Sequence, residues 1–352
     1  MPVGHFQIGF SADFVDEQKE LIFPDIGLSL LDADPAISYE FLPEYQPEYE
    51  PRQLSPYDTI ISLKPKVTAA SLDGNSKLCA IGRCGVGYDN VDLHACTDHD
   101  VAVYITPGGV VRPMAESIVL FVLALSHNLV SKDRLVRAGR WHDSTRPLGR
   151  GPRERVIGTV GLGNIARQAV RLLRDFDVAR FLAYDPFVSK QQADDLGVTL
   201  MSLDDVMRGS DYVLINCPLT SATRGLIGPR EIAAMRPTAF LINTARGPIV
   251  DQPALVDALM SRRIAGAALD VFETEPLPSD SPLTGLDNVI LTSHSVGWTE
   301  ELFRDMGRID CEGALAVSHG EAPADVVNRE VLDRPGFRRK LDHYRAWRES
   351  TK

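Results

Sequence analysis

The sequence predicts an α/β protein of two doubly wound, parallel-sheet domains with an active-site cleft between them. Three observations carry this. Short β-branched runs alternate with helical stretches along the chain. Several runs are apolar without alternation, as expected of parallel strands buried on both faces. The strand series occurs twice, on either side of the polar stretch RWHDSTRPLGRGPRER. Ligands of such sheets bind beyond the carboxyl ends of the strands, so the cleft is where a reaction belongs.

In chain order, DTIIS, KLCAIG and VAVYIT read as strands of the first domain. The apolar run Ile118–Leu125 is too short to span a bilayer and suits a buried helix. A second set opens at Val156 with VIGTVG and continues with FLAYD, YVLIN, AFLINT, AGAALDV and NVILTS. Between these strands, NIARQAVRLLRDF and QPALVDALMSRRI have the length and composition of crossover helices, giving βαβ units. The polar, helical stretch after Glu301 is expected to return to the first domain. The expected domains are residues 1–105 with 300–352, and residues 106–299.

A length of 352 residues suits about two domains with real cores. The net charge of −11 argues against a nucleic-acid partner, which requires a basic surface. Arg134, Arg137 and Arg140 read as one solvated helix face. The start, MPVGHFQIGF, shows no signal peptide, and no membrane segment is expected. The five cysteines form no C-x-x-C pair, which fits reduced thiols in the cytoplasm. His94 and His99 flank Cys96, but nothing else suggests a metal, and none is expected.

The sharpest motif is VIGTVGLGNIA, where Gly161, Gly163 and Ala166 make G-x-G-x-x-A between a strand and a helix. Gly161 permits a tight turn, Gly163 lets backbone approach a pyrophosphate, and Ala166 lets helix and strand pack closely. The helix start at Asn164 and Ile165 supplies free N–H groups and positive dipole. Asp185 ends the next strand, where an acid meets the ribose hydroxyls of NAD and repels a 2′-phosphate. NAD is therefore expected over NADP, with Arg180 the one nearby cation that would complicate this. The bland reading makes Asp185 a turn residue before Pro186.

With these residues in place, the sequence resembles the D-2-hydroxyacid dehydrogenase family from about Tyr57 to Leu332. The resemblance rests on GRCGVGYDNVD, TPGGVVRPMAES, VGLGNIA, CPLTSATRGLI, LINTARGPIVD, AALDVFETEPLP and LTSHSVGWTEE, in that order. It implies a Rossmann-like NAD domain, a substrate domain built from both chain ends, and a homodimer. It also implies site roles. Arg246 would be the substrate arginine, Glu275 the carboxylate partner and His294 the general acid and base. The backbone N–H groups of Val86 and Gly87 would meet a substrate carboxylate. The implied cofactor set is Gly161, Gly163, Asn164, Ile165, Asp185, Cys217, Pro218, Thr223, Thr244, Ala245, Asp270 and Gly297, with Asp270 on the nicotinamide carboxamide. The sequence departs from the family in having Ser293 before the histidine, where proline is common, and Trp298 where a small residue is frequent.

The chemistry explains the residue types. Reducing a 2-oxo acid adds a hydride to the carbonyl carbon and a proton to its oxygen, and the cofactor supplies the hydride. A histidine suits the proton because its ordinary pKa lies near neutrality. A carboxylate orients the imidazole and stabilises its charged form. Arginine presents a planar fork to a carboxylate. Each residue alone also has a bland reading: a surface bridge for Arg246, a loop charge for Glu275, a satisfied core residue for His294. Asp89 and Asp92 read as turn and helix-cap residues, and Asn90 as a residue fixing its loop through backbone bonds. Lys64 and Lys66 follow a first-domain strand, and Lys64 is a candidate for an anionic substrate. The expected substrate is a small 2-oxo acid such as glyoxylate or hydroxypyruvate, with phosphoglycerate open. The alternatives are a phosphite- or formate-type dehydrogenase, or an NAD-sensing co-repressor on the same fold. Glu275 disfavours the formate type, whose histidine pairs with glutamine.

Overall fold

Every strand of the structure runs parallel to its sheet neighbours. The structure, a computed structural model, describes residues 5–145 and 148–350. The chain forms two compact units: Met1–Val110 with Trp298–Lys352, and Val111–Gly297.

The first unit holds β1 (Phe6–Phe10), β2 (Ile37–Phe41), β3 (Thr59–Ser62), β4 (Ala80–Arg83) and β5 (Ala102–Ile105), in the order β2-β1-β3-β4-β5. β1 and β2 are additions to the strands expected from sequence. Gly9 interrupts the apolar run of β1, and its Cβ position would lie 2.9 Å from the Tyr57 ring. Such close approach is a common reason for glycine within a strand. β2 is a half-exposed edge strand without an apolar run. The helix Glu300–Ser318 packs on this sheet: Gly313 lies where a Cβ would be 2.4 Å from Tyr104, whose Oη donates to the Asp310 carbonyl at 2.7 Å. On β5, the Val103 N–H donates to Asn328 Oδ1 at 2.8 Å. Lys340 Nζ donates to the carbonyls of Leu78, His99 and Asp100 at 2.7–3.1 Å.

The second unit holds β6 (Val156–Val160), β7 (Arg180–Tyr184), β8 (Val198–Leu200), β9 (Tyr212–Ile215), β10 (Phe240–Asn243), β11 (Gly266–Leu269) and β12 (Val289–Leu291). Their order is β12-β11-β10-β9-β6-β7-β8, so the winding reverses between β6 and β9. A crevice at such a reversal is where doubly wound sheets bind ligands. β8 is a three-residue edge strand, too short to show a period. One described helix, Pro107–Ser126, is long and apolar enough to cross a membrane, which corrects the reading from the eight-residue run alone. Its Ala115, Ile118, Phe121, Val122 and Leu125 pack instead into a core with Ile157, Leu162 and Val170.

Candidate active site

Four loops leave the carboxyl ends of β6, β10, β11 and β12, and they carry most of the residues singled out by sequence. Gly161 follows β6 with φ +95°, and a Cβ there would lie 2.7 Å from the Cys217 nitrogen after β9. Glycine is therefore required twice over, for the conformation and for the approach. Gly163 precedes the helix Asn164–Leu173 as its N-cap, and a Cβ there would meet nothing within 4 Å. The space before the first helical N–H groups is open, as a pyrophosphate needs. Ala166 is buried in the sheet-facing core. Asp185 Oδ2 accepts the Leu162 N–H at 2.8 Å, and Oδ1 accepts the Phe187 N–H at 2.9 Å. Its carboxylate is thus fixed beside the glycine loop, and each oxygen keeps a further lone pair for ribose. These residues fit a dinucleotide. Arg180 begins β7 and Asp185 follows its end, so at ~3.3 Å per residue they lie roughly 16 Å apart along the strand. Arg180 and Asp185 thus stand at opposite ends of β7.

The remaining cofactor candidates line the same edge. Burial pushes the Cys217 thiol up to about 11, so it stays protonated at neutral pH. Thr223 Oγ1 donates to the Pro218 carbonyl at 2.6 Å and accepts the Thr220 N–H at 2.8 Å, which closes that loop. Thr244 is half-buried after β10, and the Ala245 N–H donates to Asn243 Oδ1 at 3.0 Å. Gly297 sits where a Cβ would be 2.4 Å from Met114 Sδ.

Arg246, Glu275 and His294 come together. Asn243 pins the turn after β10 by donating to the Arg246 carbonyl at 3.0 Å. Gly247 then runs against the loop after β11, where a Cβ would fall 1.9 Å from the Phe272 carbonyl. No side chain fits, and this contact sets the Arg246 loop beside the loop of Glu275. Glu275 Oε1 accepts the Phe272 N–H at 2.9 Å, and Oε2 lies 2.8 Å from His294 Nδ1. Burial pushes the Glu275 carboxyl up, but the His294 bond, the Phe272 N–H and the His294 and Arg246 charges outweigh it and hold the group below its ordinary value. The pair is open to a small molecule, with the His294 side chain 45% and the Glu275 side chain 36% exposed. His294 has φ +55°, an unusual conformation for a residue with a side chain.

Asp270 has a role that the sequence did not disclose. It is buried, and its Oδ1 accepts from Thr292 Oγ1 at 2.6 Å, the Ser295 N–H at 2.9 Å and the Val296 N–H at 3.1 Å. Its carbonyl accepts the His294 N–H at 2.7 Å. One aspartate therefore holds the whole loop that presents the imidazole. The contribution of Gly247 was likewise missed; the only sequence signal was a glycine directly after Arg246.

In the five-stranded unit, Val86 and Gly87 are half-buried in the loop after β4, and Lys64 is exposed after β3. Asn90 Nδ2 donates to the Lys64 and Pro65 carbonyls at 3.2 and 3.1 Å, and Asp92 caps a helix by accepting the Ala95 N–H, both as the sequence indicated. Lys64 Nζ lies 5.6 Å from the Trp298 ring centroid. Trp298 meets Phe23 and Phe303 edge-on at 5.7 and 5.3 Å, so it packs as well as faces solvent. Cys79, Cys84, Cys96 and Cys311 are buried and free. Among the described residues no group of three or more His, Cys, Asp or Glu is placed to hold a metal ion.

This geometry has relatives. A family model described as D-isomer specific 2-hydroxyacid dehydrogenase, NAD binding domain, matches residues 119–296. A glyoxylate reductase of Thermofilum pendens is 37% identical over 320 residues, covering 88% of this chain and 94% of the relative. A D-3-phosphoglycerate dehydrogenase of Archaeoglobus fulgidus is 34% identical over 287 residues, 81% of this chain. The chain spans only about half, 54%, of that relative's length. Among solved structures, an NADPH-dependent glyoxylate/hydroxypyruvate reductase of Sinorhizobium meliloti superposes with a TM-score of 0.78 at 25% identity, covering 92% of this chain and 97% of the other.

Proposed function

The chain belongs to the D-isomer specific 2-hydroxyacid dehydrogenase family, oxidoreductases acting on CH–OH donors, and from that premise we propose that it interconverts a small 2-oxo acid and its D-2-hydroxy acid with NAD. The observation that carries this is the 2.8 Å pairing of His294 with Glu275, on the sheet edge that also presents the glycine loop. When bound, the nicotinamide supplies or accepts the hydride. Glu275 occupies Nδ1 and leaves Nε2 of His294 to give a proton to the developing alkoxide, or to take it back during oxidation. Arg246 binds the substrate carboxylate through its fork and polarises the adjoining carbonyl. Asp270 keeps the imidazole in place.

NAD is favoured over NADP because the Asp185 carboxylate beside Leu162 would face a 2′-phosphate. Glyoxylate and hydroxypyruvate are the proposed substrates, supported by the names of the relatives. Lys64 is proposed to attract such anions. A second copy of the chain is the proposed partner: Leu120, Leu129, Val136, Trp141 and Leu148 of the seven-stranded unit are exposed large apolar residues. The free cysteines support a reducing, cytoplasmic setting.

The test is an NADH-oxidation screen across 2-oxo acids, with NADPH in parallel and light scattering for mass. Turnover of glyoxylate or hydroxypyruvate with NADH supports the reading. Activity with NADPH alone would sink the ribose assignment, and no turnover of any 2-oxo acid would sink the reaction.

A further inference from the structure

The seven-stranded unit has a second polar concavity that none of this chemistry uses. A cavity of about 310 Å³ is lined by Arg167, Arg171 and Arg174 on one side and by Gln192, Asp195 and Leu196 on the other. The three arginines follow one another by four and three residues, so they stack on one helix face and repel. Elsewhere the chain offsets such charge with a carboxylate one turn away, as in Arg112–Glu116, Arg137–Asp133 and Arg308–Glu312. Here it does not. Each guanidinium is instead anchored on a neutral acceptor: Arg167 Nε on the Leu162 carbonyl at 2.8 Å, Arg171 Nη1 on Gln168 Oε1 at 3.3 Å, and Arg174 Nη2 on the Leu196 carbonyl at 2.6 Å. One bond of five leaves each with donors to spare. The single acid of the lining, Asp195, has its Oδ1 bonded to Gln191 Nε2 at 2.7 Å. Three cations thus oppose one anion in a chain whose net charge is −11.

We propose that this groove binds a phosphate group, and that its occupancy tightens binding of the nicotinamide cofactor. Phosphate suits the site because planar guanidinium forks match its oxygens in pairs, and three fixed forks can surround one group. The coupling follows from Leu162. Its carbonyl is held by Arg167 and its N–H by Asp185, each at 2.8 Å. An anion that immobilises Arg167 therefore immobilises the glycine loop and the ribose acid together, so less order remains to be created when the dinucleotide binds. The groove itself does not depend on the reaction; only the coupling rests on the cofactor reading given above.

The experiment is titration calorimetry on the full chain at low ionic strength. The probes are inorganic phosphate and glycerol 2-phosphate, which is neither a 2-oxo nor a 2-hydroxy acid. Wild type should bind at one saturable site, with and without saturating NADH. The tighter of the two probes says whether the free ion or a phosphomonoester is the better ligand. Arg171→Gln/Arg174→Gln should weaken binding at least tenfold with an unchanged melting temperature. No saturable binding, binding indifferent to the double substitution, or binding abolished by NADH would overturn the site. NADH should bind at least threefold more tightly in the presence of the better probe, in wild type and not in the variant. An unchanged NADH Kd would overturn the coupling. Failure of NADH to bind under any condition, with the anion still bound, would overturn the cofactor reading and leave the groove standing.

Discussion

Glu275 keeps its charge because the imidazole, the Phe272 N–H and the Arg246 charge together outweigh its burial. That carboxylate holds His294 at Nδ1 and leaves Nε2 to the substrate. Glu275→Gln keeps the shape and loses the charge, so it should lower kcat/KM on 2-oxo acids by about 10²-fold or more while NADH still binds. Equal kcat/KM for the variant and wild type, measured where chemistry limits the rate, would mean that the two residues do not act as a pair. Arg246 is open to a simpler comparison. Arg246→Lys keeps the charge and loses the fork, so it should lose most kcat/KM on every 2-oxo acid while still binding NADH; a variant of full activity would take Arg246 out of the site. At this scale the sequence was informative about which residues meet and silent about how. Arg246, Glu275 and His294 stand out as chemical types behind a glycine motif. Asp270 and Gly247 act through contacts between separate loops, and no local spacing encodes those.

The helix Glu300–Ser318 buries one residue that its sequence gives no reason to bury. Asp310 is fully inaccessible, and apart from the Cys84 thiol neither carboxyl oxygen has a hydrogen-bond partner. Burial pushes its pKa up from 3.8 to about 7, against the opposing pull of the Cys84 thiol and the Arg83 charge. The folded state therefore holds a proton that the unfolded chain releases. Stability from this group is greatest below pH 4, falls as pH rises toward 7, and then levels off, a span of about 4 kcal/mol at 1.36 kcal/mol per unit. Asp310→Asn cannot ionise, so its unfolding free energy relative to wild type should rise by ~3 kcal/mol between pH 5 and pH 8. Denaturant melts at the two pH values decide this, and a constant difference would show that Asp310 is already ionised in the fold. The loop entering this helix offers a second test. Trp298 touches Phe23 and Phe303 as well as Lys64. Trp298→Ala should lower the melting temperature by several degrees; a change in substrate ranking without any loss of stability would assign it to the pocket alone. Elements were legible where they are long or buried on both faces. β2 and β8 are short edge strands, and β1 carries a glycine, so each lacks the apolar run that betrayed the others.

The two units differ in how the chain supplies them. The seven-stranded unit is one uninterrupted segment, Val111–Gly297, whereas the five-stranded unit draws on Met1–Val110 and Trp298–Lys352. Its sheet leans on the second piece through Tyr104 on Asp310, Val103 on Asn328, and the three carbonyls bonded by Lys340. A fragment of residues 111–297 should therefore fold cooperatively and bind NADH, while residues 1–110 alone should show no cooperative melt; a sharp transition in the shorter fragment would contradict the dependence. The same division imposes a timetable on synthesis. The dinucleotide-binding unit has all its strands once residue 291 has left the ribosome, while the five strands made first must wait, unfinished and exposed, for the helix that covers them. A nascent chain whose residue 300 has just emerged from the ribosome would thus be a folded cofactor-binding body trailing an open sheet at its amino end, and that sheet is the stretch that a chaperone would have to guard.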